Sequence, residues 1–215
     1  MKKRIAEKIN KMQGGYTPYE IFTDWVELMA LSICNTCHLV HDKVWEQREE
    51  QYLKIISKYN KEERYALSEM FNMLACMLED NTTDALGEIY MEAGCGNKGT
   101  GQFFTPFNLS RMLAGFNLPK EIDGKFYVNE PSCGAGGMII AMCQEFKRRG
   151  IDYQHKVKVV AQDLDWNAVY MTYVQISLLG VDGIVCQGDT LGEPDIYKYP
   201  KYRIFETPAR LGLLL

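Results

Sequence analysis

The sequence has no apolar run approaching the length of a membrane span, and its first residues, Met1-Lys-Lys-Arg-Ile5, lack the apolar stretch of an export signal. Membrane insertion and export are therefore not expected, and the chain is placed in the cytoplasm. A disulfide framework is missing as well. Seven cysteines, an odd number scattered through apolar segments, read as reduced and mostly buried thiols. Positive charge is not in excess: the net charge is −4, which gives no general electrostatic grip on nucleic acid. Any such grip has to come from a local patch or a partner. The single basic cluster, Lys2, Lys3, Arg4, Lys8 and Lys11, reads first as solvated charge at a terminus and only second as a contact surface. No metal site is expected. Cys34, Cys37, His38 and His41 have helical spacing on one stripe, and four ligands from one straight helix cannot surround a tetrahedral ion.

What remains is an ordinary globular composition. The 215 residues are 47% hydrophobic and 24% charged, enough for one large or two small domains with real cores. The chain is organised around Val128 to Met138, Val-Asn-Glu-Pro-Ser-Cys-Gly-Ala-Gly-Gly-Met. Apolar residues lead into it from Phe126 and an apolar run to Phe146 follows, which predicts strand, tight Gly-rich turn and helix. Glycine serves such a turn by adopting positive φ and by letting a ligand lie against main chain beside the unpaired N–H groups of the helix start.

Two common ligands do not fit. A dinucleotide fingerprint needs a third glycine where Ile139 stands, and a phosphate-binding loop needs a lysine and a hydroxyl residue that do not follow these glycines. Glu130-Pro131 before the turn and Asp163 at the end of the next strand suit a ligand with ribose hydroxyls and an ammonium group, as in S-adenosylmethionine.

Four segments then occur in a telling order: Gly101-Gln-Phe-Phe-Thr-Pro106, Asn129-Glu-Pro-Ser-Cys-Gly-Ala-Gly-Gly137, Ala161-Gln-Asp163 and Gly188-Asp-Thr-Leu191. Over about residues 84 to 191 the chain resembles the adenine-N6 DNA methyltransferases, most of all the modification subunit of type I restriction systems. The resemblance implies that Phe104, Thr105 and Pro106, with Gly134 and Gly136, hold the methionine end of S-adenosylmethionine. It further implies that Asp163 takes the ribose and that Asp189 sits by the adenine. Glu130 and Pro131 belong to the same expected site. Asp165 is expected to cap the following helix.

The expected architecture is α/β: a helical N-terminal bundle over 1–96, then a partial Rossmann-like methyltransferase domain over 97–215 with a mostly parallel sheet. Thr17-Pro18-Tyr19-Glu20 is a capping-box helix start, and helices are predicted over Tyr19 to Val40, Val44 to Tyr59, from about Glu62, and from about Asp84. Gly94 to Gly101 reads as a joint, with Thr105 or Asn108 capping the helix after it. One of Phe103 and Phe104 is expected in the core. Strands are predicted at Phe126 to Asn129, Val157 to Gln162, Ile184 to Gln187 and Tyr202 to Phe205, with helices at Gly137 to Arg149 and Asn167 to Leu179. Strand and helix alternate, so a ligand is expected beyond the strands' C-terminal ends.

The family positions its target base with Asn/Asp-Pro-Pro-Tyr/Phe after strand four. Here Glu206, Thr207 and Pro208 stand at that position, followed by Ala209, so no catalytic residue is assigned. The four strands compare with about seven in the family's full sheet, which leaves an open edge beside the apolar tail Leu211 to Leu215. A protein partner or a second copy is expected to cover them, with at most weak binding to DNA. The alternative reading is a non-enzymatic interaction module on a methyltransferase scaffold.

Overall fold

The computed structural model describes residues 1–12, 15–95 and 104–213. Most of the predicted Gly-rich joint, together with Gln102, Phe103, Leu214 and Leu215, lies outside the described residues. The elements are α1 (Lys2–Lys11), α2 (Pro18–Cys37), α3 (Lys43–Ile56), α4 (Lys61–Asp80), α5 (Ala85–Glu92), α6 (Phe107–Asn117), β1 (Phe126–Glu130), α7 (Gly137–Arg148), α8 (Tyr153–Lys156), β2 (Val157–Asp163), α9 (Trp166–Leu178), β3 (Asp182–Gln187) and β4 (Ile204–Glu206). Among the described residues, no helix is long and apolar enough to cross a membrane.

Local chemistry sets the helix starts. The Glu20 N–H donates to Thr17 Oγ1 at 3.2 Å and the Thr17 N–H donates to the Glu20 carboxylate at 2.7 Å, so the predicted capping box opens α2 with Pro18 in its first turn. Asn60 and Glu63 do the same for α4. Two predicted ends fail. No side chain caps α6, whose N-cap is Pro106, so neither Thr105 nor Asn108 takes that role. The helix α2 stops at Cys37, which buries Cys34 and Cys37 but takes His38 and His41 off the stripe; the His41 ring stacks on Trp45 at 4.0 Å. All seven cysteines are free, and all but Cys76 are buried.

The α9 helix is buried on all sides, with Val169, Met171, Tyr173, Val174 and Ile176 fully buried beside the polar Thr172 and Gln175, because it lies between the sheet and the N-terminal helices. One continuous core therefore runs from Ile5 and Ile9 through Trp25 and Tyr90 to Val159 and Val185. The predicted solvated cluster on α1 is partly engaged: Lys2 pairs with Glu88 at 2.6 Å and Lys8 with Glu69 at 2.7 Å, pinning α1 to α5 and α4.

Strand order is β1-β2-β3-β4. The first three are parallel, with Phe126 opposite Val157 and Lys158 opposite Asp182. The predicted fourth strand differs in bounds and setting. Tyr202 and Arg203 belong to a 3₁₀ turn, and β4 runs antiparallel to β3, with Glu206 opposite Ile184. The physical reason is the connection: instead of a crossover helix, residues 188–203 fold over the second face of the sheet and bury Ile196 and Tyr199 against Ile184 and Cys186. The outer edge of β1 has no strand partner among the described residues.

Candidate cofactor site

The site is built where three parallel strands end. The β1 strand delivers Glu130 and Pro131 into the Gly-rich turn, in which Gly134 has φ +55° and Gly136 φ +90°. At Gly136 an added Cβ would stand 3.1 Å from Thr172 Oγ1 and 3.5 Å from the Thr172 backbone, so both conformation and packing demand glycine. An added Cβ on Gly134 would stand 3.2 Å from the Phe104 ring. No side-chain hydrogen bond caps α7, and the first N–H groups of a helix have no partner within it.

The turn is laced to the next two strand ends. The Gly134 N–H donates to Asp163 Oδ2 at 2.9 Å, the Cys133 N–H to the Gln162 carbonyl at 2.9 Å, and the Gly188 N–H to the Asp163 carbonyl at 2.9 Å. Asp163 Oδ1 also accepts from the Asp165 N–H at 3.0 Å. Both carboxylate oxygens of Asp163 thus hold main chain, and each keeps a further lone pair for a hydroxyl donor. Asp165 caps α9 by accepting from the Asn167 N–H, as predicted. Thr190 Oγ1 donates to the Pro131 carbonyl at 2.8 Å, and Asp189 accepts from the Leu191 N–H at 3.0 Å, which brings the third loop to the first.

The electrostatics favour a cation. Burial lifts the Glu130 carboxyl above its usual range, opposed by the Ser132 N–H bond and reinforced by the charge of Asp163. A cationic ligand would relieve that cost. The Cys133 thiol is pushed up to about 12 by burial, so it packs rather than reacts.

The structure brings Glu130, Pro131, Gly134, Gly136, Asp163 and Asp189 to one end of the sheet. Phe104 joins them: its ring meets the Tyr90 ring edge-on at 5.2 Å and faces Gly134, so it links α5 to the turn. Thr105 and Pro106 are exposed and line a cleft against α5. The Glu206, Thr207 and Pro208 segment is not in this group. The Gly183 N–H donates to Thr207 Oγ1 at 3.0 Å, and Thr207 Oγ1 donates to the Val181 carbonyl at 2.7 Å. Thr207 is fully buried there, at the N-terminal end of β3. Four to six residues separate that level from Gln187, roughly 13–20 Å at about 3.3 Å per residue.

Sequence reasoning missed a buried support beneath the turn. Gln175 Nε2 donates to the Ala135 carbonyl at 2.7 Å and to Asp84 Oδ1 at 2.9 Å, while Thr172 Oγ1 donates to the Gly134 carbonyl at 2.9 Å. Nothing in a helix pattern marks such residues, since their partners lie up to 91 positions away. Also missed were Leu164, 65% exposed, and Leu191, 95% exposed, on the two acidic loops. A lone leucine between Asp163 and Asp165 was the available signal.

The profile described as N-6 DNA Methylase matches residues 81–205, which is 125 of the 215 positions. No curated protein matches the chain. Among solved structures, the type I restriction-modification system methyltransferase subunit from Streptococcus thermophilus is similar at 18% identity and a TM-score of 0.46. That match covers 89% of this chain and 43% of that one, so the chain spans less than half the length of that subunit. The profile match spans more than half of the sequence and includes β1, the Gly-rich turn, Asp163 and Asp189: the chain belongs to the N-6 DNA methylase family.

Proposed function

We propose that this chain is the S-adenosylmethionine-binding part of an adenine-N6 DNA methyltransferase of a restriction-modification system, and that it does not by itself position a target adenine. The observation that carries the first half is the bond from the Gly134 N–H to Asp163, which joins the Gly-rich turn to the acid in one rigid cradle at the strand ends. In this reading the first turn of α7 and the Phe104-Thr105-Pro106 segment hold the methionine end. Asp163 receives the ribose hydroxyls, Glu130 and its neighbours balance the ligand's positive charge, and Asp189 with Leu164 and Leu191 borders the adenine. When bound, the cofactor supplies an electrophilic methyl group on a sulfonium; the chain's own part is to orient it and exclude water.

We assign residues 1–96 to partner and DNA contacts and residues 97–215 to the cofactor, acting over one shared core in the cytoplasm. Titration calorimetry with S-adenosylhomocysteine is expected to show saturable binding. Asp163→Ala should weaken it by about 1–2 kcal/mol through lost hydrogen bonds. Absence of heat and of any thermal shift at millimolar ligand would overturn the reading.

DNA binding is expected to be weak, independent of sequence and steeply salt-sensitive, because the net charge is −4 and two lysines of α1 already face acids. Fluorescence anisotropy with a labelled duplex measures this; tight binding to one duplex at physiological salt would contradict it.

A second reading, a non-enzymatic interaction module, is favoured by the exposed stripe Leu109, Met112 and Phe116 on α6 together with the open β1 edge. In both readings a protein partner or a second copy covers those surfaces. The same calorimetry separates them, since only the first requires cofactor binding.

A further inference from the structure

A cavity of about 640 Å³ lies away from the cradle, between the end of α2, α3 and the second face of β3 and β4. Val44, Leu39, Ile184, Ile196, Ile204 and Leu213 give it mostly apolar walls. Arg48 lines it too, although its residue is only 8% exposed. The Arg48 Nη2 donates to the carbonyls of Ile204 at 3.1 Å and Lys201 at 3.4 Å, and its Cζ lies 5.1 Å from the Phe205 ring centroid. Its Nε is buried with no acceptor, and Arg48 forms no ion pair among the described residues. Carbonyls and a ring face leave the net charge uncancelled, and buried charges are normally paired. The nearest acid on the cavity wall does not help: Glu206 faces Arg210 at 3.8 Å, and Lys201 adds further positive charge.

We infer that this cavity binds a small organic anion with an apolar body, a medium-chain or arylalkyl carboxylate, whose carboxylate pairs with Arg48. A guanidinium presents planar, forked donors that match a carboxylate, and the size and mixed lining are those of a small-molecule site. The site is independent of the cofactor cradle, which lies at the C-terminal ends of the strands.

The test is calorimetric titration of the 215-residue chain with octanoate, octanamide and acetate. Octanoate is expected to bind saturably at one site, and octanamide and acetate at least about tenfold more weakly, since each lacks one of the two recognition elements. Arg48→Met should abolish octanoate binding. Because that variant removes a buried group, Val40→Asp provides a second arm: Val40 is 66% exposed on the cavity lining, and a carboxylate there should repel the ligand about tenfold without touching the core. Failure of octanoate to saturate, equal binding of octanamide, or unchanged binding in Val40→Asp overturns the inference, whether or not Arg48→Met folds.

Discussion

No labelled methyl group is expected to reach adenine in DNA from this chain, even with S-adenosylmethionine bound. Methylating an exocyclic amine inside a duplex requires the base to be flipped out and held beside the methyl donor by an amine acceptor and a stacking face. The residues at the family's motif position are Glu206, Thr207, Pro208 and Ala209, of which Glu206 and Thr207 carry side-chain acceptors, the Thr207 hydroxyl already bonded to Gly183 and Val181, and none offers an aromatic ring. The antiparallel course of β4 then removes them from the site altogether. Thr207 is clamped to Val181 and Gly183, and Glu206 stands opposite Ile184, while the cradle lies beyond Glu130, Asp163 and Gln187. Loss of positioning in a reaction that depends on orientation removes on the order of 10⁵ or more in rate. Scintillation counting of DNA after incubation with tritiated cofactor should match a blank. Transfer that disappears in Glu206→Ala would mean that Glu206 does reach the base, and the inactive assignment would fail.

Asp84→Asn should stabilise the protein by about 2 kcal/mol at pH 7.5 and make little difference near pH 4. Asp84 is 3% exposed, and burial raises its carboxyl from the ordinary 3.8 to about 6, against hydrogen bonds from Gln175 and the Gly87 N–H. The folded state therefore holds the proton more tightly than the unfolded chain. Stability from this group is fully present below about 3.8 and is lost as pH rises through about 6. The gap between those values bounds the effect at roughly 3 kcal/mol. Asp84 Oδ2 also lies beside the start of α7, 3.4 Å from where a Gly137 Cβ would stand, and the helix start favours an anion there, which trims the expected gain. Asparagine keeps an oxygen for the Gly87 N–H and for Gln175 Nε2, so the α5 cap survives. Urea unfolding of both proteins from pH 4 to 8 checks this. A difference that stays constant with pH, or that favours the wild type at pH 7.5, would show that Asp84 is not the titrating group.

Much of the fold was legible because its signals are local. A capping box, a 3.6-residue apolar stripe and a strand leading into glycines each involve residues within a turn or two, so Thr17-Pro18-Tyr19-Glu20, α4 and the β1 to α7 unit can be read from spacing alone. The positive φ of Gly134 and Gly136 and the division of labour between Asp163 and Asp165 follow from the same short-range logic. Helix ends were less secure: α2 stops at Cys37 and its two histidines leave the stripe.

By itself, then, the sequence determined the α/β class, the order of the strands and of the helices other than α1 and α8, and the six residues from Glu130 to Asp189 that meet at the strand ends. Only the tertiary structure decided the direction of β4, because strand direction depends on how residues 188–203 bury Ile196 and Tyr199 on the sheet, a choice that no two-residue alternation encodes. It also decided that Gln175 and Asp84 meet across 91 positions beneath the turn, that Lys2 and Lys8 are held by acids, and that Arg48 is buried against Phe205. Each of these pairs polar groups far apart in the chain, and local periodicity carries no information about which distant surface will cover a side chain.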